Sequence, residues 1–229
     1  MGGITLKPRS AGRALSATAP TLSHTIRIAE ALLGRGEDRV AVLSLSDRLL
    51  VAVADGAGGV VGGAAAADAV CRALDACAAG APTDWTAWLA EVDGAMAASR
   101  TCGLAAAVAI EIRDDGTILG ASAGDCEAWL FADGAARCLT AGQIRKPLLG
   151  DGARPVALAG RVDGGTLVVA TDGLWKYAGR DRVAAAMPIR PLGAAADALI
   201  DAARLRSGAL QDDIAVFICD RAGAGDADP

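Results

Sequence analysis

One histidine, one tyrosine, two phenylalanines and four tryptophans are all the imidazole and aromatic chemistry that this 229-residue chain carries. A lone histidine, His24, argues against a His-based catalytic triad. The six cysteines, at 71, 77, 102, 126, 138 and 219, include no Cys-x-x-Cys pair. With so little histidine to help them they suit neither zinc nor a disulfide scaffold, and they read as buried free thiols in a reducing cytoplasm. No apolar run approaches the roughly 18 residues of a membrane span; the stretch through Ala105 and Ile110 is soon interrupted by charge. Basic excess is missing too. With 22 basic against 27 acidic residues, a net charge of -5 and a pI of about 4.9, the chain has no general attraction for nucleic acid or anionic lipid, and neither is an expected partner.

What the chain does have is hydrophobic residues, at 53%, a level that excludes disorder, and a length sufficient for one sizeable core. Much of that hydrophobicity is alanine and only 3% of the residues are aromatic, so close packing on small side chains is expected. Residues 1–29 carry basic, Ser and Thr residues without an acid, as a transit peptide would, but no apolar signal core. Residues 24–29 already alternate like a strand. The expected layout is therefore a flexible extension over 1–23, a single domain over 24–221 and a disordered Gly/Ala/Asp tail over 222–229, in a cytoplasmic monomer.

Within that domain the apolar pattern switches period. Residues 39–45 and 48–54 alternate around a Ser/Asp turn and predict a β-hairpin. Residues 62–79 and 84–99 recur at helical spacing, the second run capped by Thr83 or Asp84. Strands return at 105–113, 118–123, 127–131 and 136–139, joined by Asp114-Asp115-Gly116 and Asp133-Gly134 turns, with an antiparallel meander the simplest connection. A Gly/Pro-rich stretch over 141–165 leads to a strand at 166–171, a short helix at 181–186, a longer one at 193–205 and a last strand at 214–219. Strands, helices, strands and helices in that order predict an α+β domain with helices on the outer faces of packed antiparallel sheets.

Aspartates stand at the ends of these apolar strands. Val51-Ala52-Val53-Ala54 delivers Asp55-Gly56-Ala57-Gly58-Gly59, and Leu167-Val168-Val169-Ala170-Thr171 delivers Asp172-Gly173. Gly124-Asp125 lies between two strands, Asp212-Asp213 precedes the last one, and Glu37-Asp38 precedes the hairpin. A single Asp-Gly reads as a turn, and Asp114-Asp115-Gly116 and Asp133-Gly134 are expected to be no more than that. Carboxylates fixed at strand ends with few basic residues beside them require another counter-charge, and an all-oxygen donor set suits magnesium or manganese rather than zinc.

Five of these segments together, in order, resemble the metal-dependent type 2C (PPM) serine/threonine protein phosphatases in a short bacterial-like form: Glu37-Asp38, Asp55-Gly56-Ala57-Gly58-Gly59, Gly124-Asp125-Cys126-Glu127-Ala128, Thr171-Asp172-Gly173-Leu174-Trp175 and Asp212-Asp213-Ile214-Ala215-Val216. The resemblance implies a four-layer α-β-β-α sandwich. It implies hydrolysis of phosphoserine and phosphothreonine in a phosphorylated protein, the substrate of a Ser/Thr kinase, by direct attack of a hydroxide bridging two Mn or Mg ions. It makes Asp55 the bridging ligand and Gly56 a carbonyl ligand, with Asp172 and Asp212 completing the first metal. Glu37 and Asp38 would act through water, and Asp125 would belong to a third metal.

The departures from the family pattern bear on mechanism. Ala57 stands where animal members have a His that protonates the leaving group. Leu33 stands where the phosphate-binding Arg is expected, which leaves Arg35 as the nearest candidate for substrate binding. Lys176 replaces an Asp of the third-metal site and counts against that ion, Ala215 replaces a Thr, and the flap with Arg145, Lys146 and Arg154 is short. These departures keep an alternative open, a catalytically weak module that binds a phosphoprotein or partner. A haloacid-dehalogenase-like nucleophile is disfavoured because Ala57, not Asp, follows Asp55 by two.

Overall fold

The computed structural model describes residues 22–31, 36–57, 62–99 and 101–221. Two five-stranded antiparallel sheets stack face to face. One holds β1 (Leu22–Ala29), β10 (Ile214–Arg221), β9 (Thr166–Ala170), β6 (Glu127–Ala132) and β7 (Ala135–Cys138), in that order. The other holds β2 (Arg39–Ser44), β3 (Arg48–Gly56), β4 (Ala105–Arg113), β5 (Thr117–Ala123) and β8 (Val156–Arg161). Helices α1 (Gly63–Asp75) and α2 (Trp85–Ala98) cover the second sheet, while α3 (Asp172–Tyr177), α4 (Arg180–Ala186) and α5 (Leu192–Ala203) cover the first. This is the expected α-β-β-α sandwich.

The two-residue period of the strands builds all three packing layers. On β3, Val51 and Val53 point inward to meet Val108, Ile110, Val169 and Phe217, and Leu50, Ala52 and Ala54 point outward to α1 and α2. Both faces are therefore buried, so β3, expected to alternate over 48–54, is instead an unbroken apolar run. The outward layer is mostly alanine: Ala52, Ala54, Ala107, Ala109, Ala121 and Ala123 face Ala66 and Ala67 of α1. Larger side chains include Leu50, Leu74, Trp85, Leu89, Met96 and Leu149, with Trp85 and Trp88 edge to face at 5.5 Å, the helix-to-helix contact expected of them. Asp84 is the cap of α2, accepting from the N–H groups of Thr86 and Ala87.

Three features differ from the sequence reading. The strands at 105–139 form two hairpins, β4-β5 in one sheet and β6-β7 in the other, and the chain crosses between sheets at residues 124–126. The Gly/Pro-rich stretch contains β8, an edge strand whose one buried residue is Leu158. A further short helix, α3, begins directly at Asp172. β1 begins at Leu22, two residues ahead of the boundary placed at 24, and residues 222–229 lie outside the described residues. Among the described residues no helix is long and apolar enough to cross a membrane.

Candidate metal centre

Two kinds of Asp-Gly occur in this fold, and backbone geometry separates them. At the tips of hairpins Gly116 has φ +88, and Asp133 and Gly134 have φ +52 and +74, so these are turns as expected. Gly56 and Gly173 have no such φ. A side-chain carbon on Gly56 would lie 2.3 Å from the Gly63 carbonyl oxygen, and one on Gly173 would lie 2.1 Å from that of Asp213. Glycine is required there because a second backbone passes against the strand end, and that contact fixes Asp55 and Asp172 in place. Gly124 combines both reasons, with φ +92 and a would-be side chain 2.3 Å from Ala106 Cβ. It aims Asp125 at the same end of the sandwich.

The three aspartates meet. Asp55 from β3, Asp125 from the crossing and Asp172 from the start of α3 each offer a carboxylate oxygen, all within 4.8 Å of one another. Asp212 stands beside Asp172 and is bound to it through Lys176: the ammonium pairs with Asp172 Oδ2 and lies 3.9 Å from Asp212 Oδ2. Glu37 and Asp38 precede β2 and are both buried. The Glu37 carbonyl accepts from Gly56 N–H at 3.3 Å, and its carboxylate abuts Gly63. Asp38 Oδ2 is buried and has no hydrogen-bond partner. Arg35, together with Leu33, Gly58 and Gly59, lies outside the described residues.

Electrostatics follow from this crowding. Burial pushes the Asp55 carboxyl up to about 9, with the charges of Asp38, Asp172, Asp125 and Asp212 adding to it. Burial raises Asp38 to about 7, opposed by the Thr171 hydroxyl and reinforced by Asp213, Asp212 and Asp172. Asp125 and Asp212 are raised by burial and by Asp172, and Lys176 works against both shifts. A cluster of oxygen donors with an unpartnered buried oxygen and too few cations fits a hard divalent ion such as Mg or Mn. The thiols add nothing here. All six are free, only Cys126 and Cys219 are fully buried, and burial pushes Cys219 to about 12 and Cys71 to about 11.

Asp213 is the residue whose role the sequence did not show. Its carboxylate accepts from the N–H groups of Ala31 at 2.9 Å, Gly36 at 2.9 Å and Glu37 at 3.3 Å, and so pins the segment that carries Glu37 and Asp38. Its one signal in the sequence is its place next to Asp212. Beside the cluster opens a cleft of about 440 Å³ lined by Asp125, Glu127, Arg145, Lys176, Arg180 and Asp181. Its aromatic wall is Trp175, backed by the buried Trp129 at 6.0 Å; Arg180 lies 4.5 Å over Trp129, whose Nε1 donates to Glu127 at 2.7 Å.

The family model described as Stage II sporulation protein E (SpoIIE) matches residues 46–222. The chain belongs to this SpoIIE family. Comparison with curated proteins gives no match. Solved structures similar to this SpoIIE-family chain include RsbX in complex with magnesium, with a TM-score of 0.70 and 15% identity over 88% of this chain and 96% of that one. A second is the serine/threonine phosphatase of S. agalactiae, with a TM-score of 0.71 and 19% identity over 87% and 99%. A third is the catalytic domain of the serine/threonine protein phosphatase PstP in complex with two manganese ions, with a TM-score of 0.67 and 20% identity over 88% and 99%. The fold of the SpoIIE-family chain is thus that of bacterial type 2C phosphatases, as the motifs led one to expect.

Proposed function

We propose that this chain is a divalent-cation-dependent phosphatase for phosphoserine and phosphothreonine in proteins, with its catalytic domain over residues 22–221. The observation that carries the reading is the meeting of Asp55, Asp125 and Asp172 within 4.8 Å at the edge of an open cleft. Asp55, the Gly56 carbonyl, Asp172 and Asp212 would hold two Mn or Mg ions, with Glu37 and Asp38 reaching them through water. Asp125 is available to a third. When bound, such ions would acidify a water molecule and neutralise phosphoryl oxygens, the chemistry of phosphate-ester hydrolysis without a covalent enzyme intermediate.

The protein's own contributions are positional. Asp213 holds the Glu37–Asp38 segment, and Gly56 and Gly173 let the strand ends approach each other. Asp38 Oδ2 is free to accept a hydrogen bond from water in the site. Arg145 and Arg180 supply cations on the cleft wall for the anionic groups of a phosphopeptide. Ala57 supplies no acid to the leaving alkoxide, so its proton comes from water or from another group of the site. A second reading, recognition of a phosphoprotein without turnover, is favoured by the Lys176 ion pair to Asp172.

The test is hydrolysis of a chromogenic phosphomonoester and a phosphothreonine peptide with manganese, magnesium or chelator, beside Asp172→Asn. Manganese-dependent turnover lost in the variant supports the hydrolase. Tight phosphopeptide binding with no turnover under any metal supports the second reading and overturns the first.

A further inference from the structure

Lys176 stands apart in an acidic site, and the structure shows where its charge goes. It lies four residues after Asp172 on α3, so both side chains rise on one helix face. The ammonium pairs with Asp172 Oδ2 and sits 3.9 Å from Asp212 Oδ2, while half of the side chain is open to the cleft. Among the described residues no other Lys or Arg forms an ion pair with Asp38, Asp55, Asp125, Asp172 or Asp212. One tethered cation therefore makes both ion pairs of the carboxylate cluster, and it is placed on two acids at the adjoining ends of the paired strands β9 and β10.

We propose that Lys176 is a built-in competitor of the divalent ion: in the metal-free chain its ammonium holds Asp172 and Asp212, and a metal engages that pair only as Lys176 moves off into the cleft. The inference rests on the reading of Asp172 and Asp212 as metal ligands given under Proposed function. An ammonium and a divalent ion cannot share the same carboxylate oxygens without strong repulsion, because their separation would be a few ångströms in a partly desolvated site. A flexible four-carbon stem, half exposed, lets Lys176 leave without moving the helix. The consequence is a centre whose negative charge is partly offset without metal and that binds metal less tightly than its carboxylates alone would.

Calorimetric titration of manganese into the chelator-stripped full chain and into Lys176→Met tests this, with the thermal midpoint of each metal-free protein read in parallel. Removal of the competitor is expected to tighten manganese binding by about tenfold or more, and to lower the metal-free midpoint because the acids lose their counter-charge. Lys176→Arg, which keeps the charge, should restore both values towards those of the parent chain. A lysine of purely structural value would lower the midpoint and leave manganese affinity unchanged or weaker, and that result overturns the inference alone. Manganese binding by none of the three proteins overturns the metal-centre reading and this inference with it. Lys176→Gln gives the same comparison if the Met variant fails to fold.

Discussion

Strand β3 carries a buried charge problem at each end, and the two ends resolve it differently. At its start, Arg48 reaches Glu111 on β4 at 2.9 Å, and Arg113 reaches the same carboxylate at 2.7 Å, so an acid only 2% exposed has two guanidinium partners. At its end, about 23 Å away at strand rise, Asp55 meets Asp38, Asp125 and Asp172, and the ion pairs of the cluster come from one lysine. The first acid is satisfied by the protein itself, as a buried charge must be if the fold is to stand alone. The second group is left short of positive charge in a place where an ion from solution can enter. Buried acids occur at both ends, Glu111 at 2% exposed and Asp38 at 4%, while Asp55, Asp125 and Asp172 are half-buried; the difference is who supplies the cation, and it separates an acid satisfied by the protein from acids left open to an ion.

The largest effect expected from breaking this contrast is at the acidic end. Asp55→Asn should lower kcat/KM for a phosphomonoester by about 10³-fold and abolish the rise in thermal midpoint on adding manganese. A variant that keeps its rate would sink the assignment of Asp55 as the shared ligand.

Next comes the pH response of the metal-free protein. The folded Asp38 and Asp55 carboxyls lie at about 7 and about 9, above the usual unfolded value near 4. Between about pH 4 and pH 9 the folded state therefore holds more protons than the unfolded one, and stability falls as pH rises through that window. In chelator, the thermal midpoint should drop from pH 5 to pH 9. Manganese should remove most of that slope, since it takes the place of the protons. A midpoint that rises over this range in chelator would show that these carboxyls are not raised.

At the basic end, Glu111→Gln is expected to cost about 2 kcal/mol of stability in urea unfolding. The same variant should leave the manganese-induced rise in midpoint intact. If that rise shrinks with it, the two ends of β3 are coupled and the contrast between them is not a separation of roles.

Much of this was legible in the residues because each strand end announces itself: Val51-Ala52-Val53-Ala54 and Leu167-Val168-Val169-Ala170 are apolar on both faces, and the acid after each marks where the sheet stops. The layered sandwich and the acids Asp55, Asp125 and Asp172 followed from those runs and from the motif order. β8 was not legible, because Val156-Ala157-Leu158-Ala159-Gly160-Arg161 is an edge strand of small residues with little buried on it. α3 is too short for a helical period to show, yet it sets the spacing that brings Lys176 onto Asp172. The close approach at Gly56 and Gly173 was hidden too, since Asp-Gly spells a turn in sequence and only the neighbouring backbone shows otherwise. No residue for the substrate phosphate could be fixed from sequence, and Arg35, the candidate, lies outside the described residues.

The smallest effect sharpens the comparison most finely. Arg48 has a second acidic partner, Asp47, at 2.6 Å, but the Asp47 side chain is 58% exposed. Water already solvates that carboxylate, so holding it against the guanidinium adds little beyond what solvent provides. Asp47→Asn should leave the urea midpoint unchanged within error and leave metal binding untouched. A loss as large as that of Glu111→Gln would mean that Arg48, rather than the buried glutamate, is the group that needs neutralising. The start of β3 would then be a site held short of negative charge, the mirror of its acidic end.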